Sequence, residues 1–205
     1  MATYGYAVLY EPGGRFLMPR KNTRGYFYYR DGAGSGGDIY RTGMQIRSGG
    51  GDLCLPGGGC HADESIPQCA NREFFEEVGF EPVTYADRAH NWYGGPWDES
   101  KGLQFGAAFY QCTTERFNAL RADVSARLAE GQKAVQDIQS NKISSYTDLH
   151  KKYPTAPWDN ELATLDKDYS VLNGRDWQVI ESWQKDPAKS WFFTILKTLK
   201  TYLGS

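Results

Sequence analysis

The sequence predicts one domain of the mixed α/β class, in its α+β form, and three observations carry that reading. The N-terminal part is built of short, aromatic and β-branched segments separated by glycine and proline, the pattern of strands and turns. Ile66 to Val78 contains no glycine, follows Ser65, holds Pro67 near its start and stops at Gly79, which are helix start and stop signals. Beyond Thr113 apolar residues recur at helical spacing, so the second half is mainly helical. With 205 residues the chain can bury one sizeable core, and it is read as a single domain over 1–205 with a helical insertion at about 113–157.

The elements follow in order. Thr3 to Glu11 alternates and is rich in Tyr and Val, which makes it a strand. A turn at Pro12 to Gly14 leads to a short strand, Arg15 to Pro19, and Tyr26 to Arg30 reads as another. Glycine is frequent from Asp31 to Gly51, so this stretch is read as loop, with a short strand at Gln45 to Arg47. After the helix at Ile66 to Val78 come two expected strands, Pro82 to Ala86 and Leu103 to Gln111. Phe117, Leu120, Val124, Leu128, Val135 and Ile138 define one face of a long amphipathic helix, and Tyr146, Leu149 and Tyr153 continue the period in a shorter piece. Prolines at Pro154 and Pro157 break it. Two further helices are expected at Trp177 to Gln184 and Lys189 to Leu203, the last with an apolar face suited to docking on the protein's own core.

Composition narrows the function classes. The formal net charge is −2 and no basic stripe is present, which argues against a general binder of DNA or RNA. A small anionic ligand remains compatible with that charge. Cys54, Cys60, Cys69 and Cys112 form no C-x-x-C pair, so reduced thiols are expected rather than a zinc or disulfide framework. No apolar run approaches a membrane span, and the N-terminus lacks a basic n-region and an apolar h-region, so the cytoplasm is the expected compartment.

Chemistry concentrates between Leu55 and Phe80. Glu73, Glu76 and Glu77 stand at i, i+3 and i+4, which places three carboxylates on one helical face. They repel one another unless a cation neutralises them, and Arg72 alone cannot meet all three. A hard divalent ion takes oxygen ligands and binds through carboxylates together with substrate phosphates. A glycine-rich turn, Gly57 to Gly59, directly precedes the helix and lets backbone approach a ligand closely. These parts describe a metal-assisted phosphate site.

Gly58, Glu64, Arg72-Glu73, Phe74, Glu76-Glu77, Gly79 and Phe80 match every fixed position of the Nudix box, and Leu55-Pro-Gly-Gly resembles its usual lead-in. The sequence therefore resembles the Nudix hydrolases. That resemblance implies a mixed β-sheet sandwiched between helices, with the box as a loop–helix–loop. It implies that Glu73, Glu76 and Glu77 hold Mg²⁺, with Mn²⁺ as an alternative, helped by the Gly57 carbonyl, and that Arg72 and Glu64 orient the carboxylates. The implied reaction is attack of water on one phosphorus of a diphosphate. The general base varies within the family, and Glu76, Glu77, Glu99 and Glu161 are candidates here. Trp92 to Glu99, which contains Pro96, resembles the proline-containing loop of the family's ADP-ribose and nucleotide-sugar pyrophosphatases. Trp92, Tyr93 and Trp97 are candidates to stack on a base. Nucleoside triphosphates, dinucleoside polyphosphates, NADH and mRNA caps are alternative substrates within the family, and a nucleotide-sensing module without turnover is an alternative of another class. The insertion is open to three readings: a lid, a homodimer contact or a specificity element.

Overall fold

A computed structural model of the chain describes residues 2–30, 36–98, 100 and 102–204. Its centre is β1 (Ala2–Tyr10), whose side chains alternate between two apolar faces. Tyr6, Val8 and Tyr10 point into one core and Ala7 and Leu9 into the other. A strand apolar on both faces needs a cover on each side. β1 pairs in parallel with β8 (Leu103–Gln111) over its whole length, from Ala2 opposite Leu103 to Tyr10 opposite Gln111. β7 (Arg88–Asp98) lies antiparallel outside β8. On the other side, β2 (Arg15–Phe16) pairs with β1, and the two-residue β10 (Tyr169–Ser170) with β2. The resulting sheet is mixed, in the order β10-β2-β1-β8-β7, with β6 (Gly57–Gly59) running antiparallel to β1 at its start.

One face is covered by α1 (Ile66–Val78) and α2 (Thr114–Gln139). Ala70, Phe74 and Val78 of α1 meet Phe117, Leu120, Val124 and Leu128 of α2 beneath Ala7, Leu9 and Ala108. The opposite face is covered by α4 (Gly174–Ser182) and α5 (Ser190–Gly204), which bring Ile180, Phe192, Ile195, Leu196 and Leu199 against Val8, Phe16, Phe105 and Phe109. The last helix is thus docked on the core. Two small ladders flank the sandwich: β3 (Pro19–Lys21) with β9 (Leu162–Leu165), and the hairpin of β4 (Arg24–Tyr29) and β5 (Gly37–Gln45). The hairpin and the short helix α3 (Tyr146–Lys152) close a third apolar cluster with the end of α2, around Phe27, Ile138, Tyr146 and Leu149.

Several expectations need correction. Gly37–Gln45 is a strand rather than loop, because backbone pairing with β4 and the packing of the partly buried Ile39 beside Phe27 of β4, against α2 and α3, outweigh its glycines and polar residues. Pro82–Thr84 is a single 3₁₀ turn rather than a strand, with Val83 exposed and no ladder partner among the described residues. Arg15 to Pro19 divides between two sheets. Arg88–Asp98 extends as a β-strand through Trp92 and Pro96, so the segment read as a proline-containing loop is the outer half of β7, irregular in register on both sides of Pro96. Within 113–157, α2 packs its apolar side on the core.

Candidate active site

α1 begins where Gln68 Oε1 accepts from the Ser65 backbone N–H at 2.9 Å, a local device that fixes the first turn. Its apolar side carries Cys69, Ala70, Phe74 and Val78, and Glu77 shares that buried side at 2% exposure. Glu73 and Glu76 stand one step round the helix and open into a cleft of about 1120 Å³. The three glutamates are therefore differently placed: two line the cleft and one lies behind it.

Gly57 explains why Glu77 tolerates burial. Its φ of +149° is a conformation that side chains avoid, and a Cβ there would lie 2.3 Å from the Gly5 carbonyl oxygen. Glycine lets β6 run close to β1, and the Gly57 N–H then donates to Glu77 Oε2 at 2.9 Å. Gly58 serves the neighbouring carboxylate, since its missing Cβ leaves the space occupied by the Glu73 carboxyl group.

Arg72 holds this arrangement together. Its Nε donates to Glu64 at 2.6 Å, one Nη to Glu73 at 2.9 Å and Glu76 at 3.2 Å, and the other Nη to the Gly59 carbonyl at 2.8 Å. One planar guanidinium thus ties the loop to two carboxylates of the helix, a task a lysine cannot perform in that geometry. The hydrogen bond from Arg72 keeps the Glu64 carboxyl below its usual range.

Two acidic residues join from the far end of the chain. Glu161 lines the cleft and accepts from Lys21 Nζ at 2.9 Å, because the β3–β9 ladder sets Lys21 opposite Leu162. Asp159 lines the same cleft, where its carboxylate accepts from the Tyr29 N–H. Its own N–H donates to the Glu76 carbonyl at 2.8 Å, which ties this segment to α1. Lys21 and Asp159 were not singled out in the sequence. Each is an ordinary charge in an unremarkable stretch, and only the ladder and the segment before β9 bring them to the box.

Electrostatics at the site follow from burial. Burial raises Glu73 to about 7 and Asp159 to about 8, with neighbouring carboxylates adding to both. Glu76 is raised by burial against the opposing pull of Arg72. Glu77 is pushed well above the usual carboxylate range by burial, with Glu161 and Glu73 adding and Lys21 and the Gly57 N–H opposing. Burial works against the charge of Lys21, but Glu77 and Glu161 more than offset it and raise its pKa.

Six carboxyl groups, those of Glu64, Glu73, Glu76, Glu77, Asp159 and Glu161, thus gather around the two cations Arg72 and Lys21. Among the described residues, no group of three or more His, Cys, Asp or Glu side chains converges into a ready cage for a metal ion. The donor set nevertheless fits a hard divalent ion. All candidate ligands are oxygens, and the carboxylates lining the cleft outnumber their basic partners Arg72 and Lys21. Mg²⁺ in particular keeps several waters and takes only one or two carboxylates together with substrate phosphates, so it needs no preformed cage.

The remaining sequence candidates are placed less centrally. Trp92 is half-buried in β7, packed against Phe105 with ring centroids 5.7 Å apart. Tyr93, Pro96 and Trp97 lie in the same strand, with Pro96 opposite Gln104. Glu99 falls outside the described residues. The four cysteines are free, and Cys54, Cys69 and Cys112 are buried. Among the described residues no helix is long and apolar enough to cross a membrane.

A family model described as the NUDIX domain matches residues 6–161. No curated protein matches the chain. Among solved structures, the MutT protein from Methanosarcina mazei Go1 is similar at 22% identity and a TM-score of 0.32, over 54% of this chain and 62% of that one. The chain therefore spans less than two thirds of that protein's length. A NUDIX hydrolase from Nitrosomonas europaea is similar at 14% identity and a TM-score of 0.37, over 89% and 88% of the two chains. A mutT/nudix family protein from Listeria innocua is similar at 15% identity and a TM-score of 0.34, over 57% and 68%.

Proposed function

The chain belongs to the Nudix hydrolase family, and from that membership we propose that it hydrolyses the diphosphate of a nucleoside diphosphate linked to another group, with ADP-ribose or a nucleotide sugar as the substrate class. The observation that carries this reading is the cleft itself. At about 1120 Å³ it is wide enough for a ligand of two parts, and Glu73, Glu76, Asp159 and Glu161 stand along its wall beside Gly57 to Gly59.

In this reading Glu73 and Glu76 hold the divalent cation, Mg²⁺ or Mn²⁺, with Glu77 and the Gly57 backbone behind them. The ion, when bound, supplies charge neutralisation and Lewis-acid polarisation at the phosphoryl oxygens. The protein's own residues do the rest. Arg72 fixes the carboxylates by its fork of hydrogen bonds, with Glu64 anchoring the guanidinium. Lys21 holds Glu161 at the edge of the cleft, and Glu161 accepts the proton of the attacking water. Attack on one phosphorus breaks the bridging P–O bond, which yields a nucleoside monophosphate and the phosphorylated second group.

The test is a substrate panel with Mg²⁺ and Mn²⁺, products separated by chromatography. It covers ADP-ribose, nucleotide sugars, NADH, dinucleoside polyphosphates, nucleoside triphosphates and cap analogues. Preferential release of AMP and ribose phosphate from ADP-ribose supports the proposal, and preference for a triphosphate would replace the substrate class. Glu161→Gln keeps the contact with Lys21 and should lower kcat by about 10²- to 10⁴-fold if it removes the general base. Unchanged turnover in that variant assigns the base to another carboxylate.

A further inference from the structure

The cleft has a second wall of different chemistry. Tyr4 and Tyr6 of β1 line it together with Leu53, Leu103, Ala188 and Trp191, in contrast to the acidic side at α1. Trp191 comes from the first turn of α5, and with Ala188 it lies beyond the residues 6–161 that match the family model. Three contacts position its indole. The ring lies on Tyr6 with centroids 4.1 Å apart and planes 32° from parallel. Phe192 meets it edge-on at 5.0 Å, and the indole N–H donates to the Ala188 carbonyl at 3.0 Å. A flat side chain fixed before a ligand arrives gives up little entropy on binding.

The placement of this wall is informative. Tyr6 pairs with Gly57 and Tyr4 with Gly59, so the two tyrosines flank the backbone that borders the carboxylates. Residues two apart on a strand share a face and stand about 7 Å apart. An aromatic surface therefore adjoins a phosphate- and metal-directed surface within one cleft. The geometry points to Trp191, supported by Tyr4 and Tyr6, as the platform on which the substrate's nucleobase stacks. This inference rests on the diphosphatase reading for the direction of the phosphates. It moves base recognition from Trp92, Tyr93 and Trp97, the candidates in the sequence, to the C-terminal helix. Stacking on a π-face tolerates every base, so the platform selects nucleotides over base-free phosphates rather than one base over another.

The experiment compares binding of AMP and of ribose 5-phosphate to the full chain, each with Mg²⁺, by calorimetry and ligand-observed NMR. AMP should bind more tightly than ribose 5-phosphate. Trp191→Ala should weaken AMP by about tenfold, the scale of one base stack, and leave ribose 5-phosphate unchanged. Trp191→Phe should retain most of the AMP affinity and reports on a ring that still packs against Tyr6. Equal binding of the two ligands by the wild-type protein, or an AMP affinity indifferent to Trp191→Ala in a folded variant, would overturn the assignment. A silent substrate panel with Trp191-dependent AMP binding defeats the hydrolytic reading and keeps the platform. Turnover with AMP binding indifferent to Trp191 does the reverse.

Discussion

Replacing Gly58 by alanine tests the site without removing any candidate ligand. A Cβ at this position would lie 2.5 Å from one Glu73 carboxylate oxygen, 2.6 Å from the carboxyl carbon and 2.7 Å from the other oxygen. Ordinary contact begins at 3.4 Å, so the carboxylate must retreat by about 0.9 Å, the difference between 3.4 and 2.5 Å. The retreat pulls Glu73 against its 2.9 Å bond to Arg72, which also serves Glu64 and Glu76. Gly58 is not among the glycines with positive φ, so alanine fits its backbone. The obstructing atoms also belong to a side chain that can move. Stability should therefore change by less than about 1 kcal/mol, because the ~0.4–1 kcal/mol gained by restricting the unfolded chain offsets the local clash. Activity should suffer far more, since a misplacement of about 1 Å at a reacting site costs on the order of 10²-fold. The assay is kcat/KM at saturating Mg²⁺ beside thermal unfolding. Gly59→Ala is the control, because nothing lies within 4 Å of a Cβ there, and it should keep near-normal activity. Full kcat/KM in a folded Gly58→Ala protein would refute the placement of Glu73 at the metal.

Other predictions follow from the same geometry. Glu77→Gln should leave the fold intact, since glutamine can still accept from the Gly57 N–H, while turnover falls by at least the 10- to 100-fold typical of losing a metal's supporting partner; near-normal turnover at saturating Mg²⁺ would remove Glu77 from the site. Gly5→Ala should destabilise the protein by about 1–3 kcal/mol in urea unfolding, because its Cβ would meet the Ile66 carbonyl at 2.8 Å and the Ala70 nitrogen at 3.0 Å, backbone atoms of α1 that cannot rotate away. An unchanged unfolding midpoint would show that α1 does not need this close seat on β1. Asp137, bonded first by Lys152 and then by Tyr153, has its pKa lowered to about 2. A carboxyl held below its unfolded value of about 3.9 contributes stability that is present above that value and lost as pH falls towards 2. Asp137→Asn should therefore lower the urea midpoint at pH 7 and flatten its decline between about pH 4 and 2, and an unaltered profile would count against the pairing.

The sequence by itself determined the helices, the central strands and the box. Ser65, Pro67 and Gly79 delimit α1 because caps and stops act over a few residues, and the apolar period from Phe117 to Ile138 marks α2 because burial on one side imposes that spacing. Glu73, Glu76 and Glu77 are legible as a group for the same local reason. Strands whose burial comes from distant partners were less legible. Gly37–Gln45 has neither alternation nor β-branched density, and β6 is three glycines held by the β1 ladder and by bonds to Arg72 and Glu77 of α1. Tertiary structure alone decided which glutamate is buried, since the period of a helix places residues on a face without saying what covers it. It also decided that Lys21, Asp159 and Glu161 meet at the box. The β3–β9 ladder and the bond from the Asp159 N–H to the Glu76 carbonyl join segments more than eighty residues apart in sequence, a distance over which no local pattern carries information.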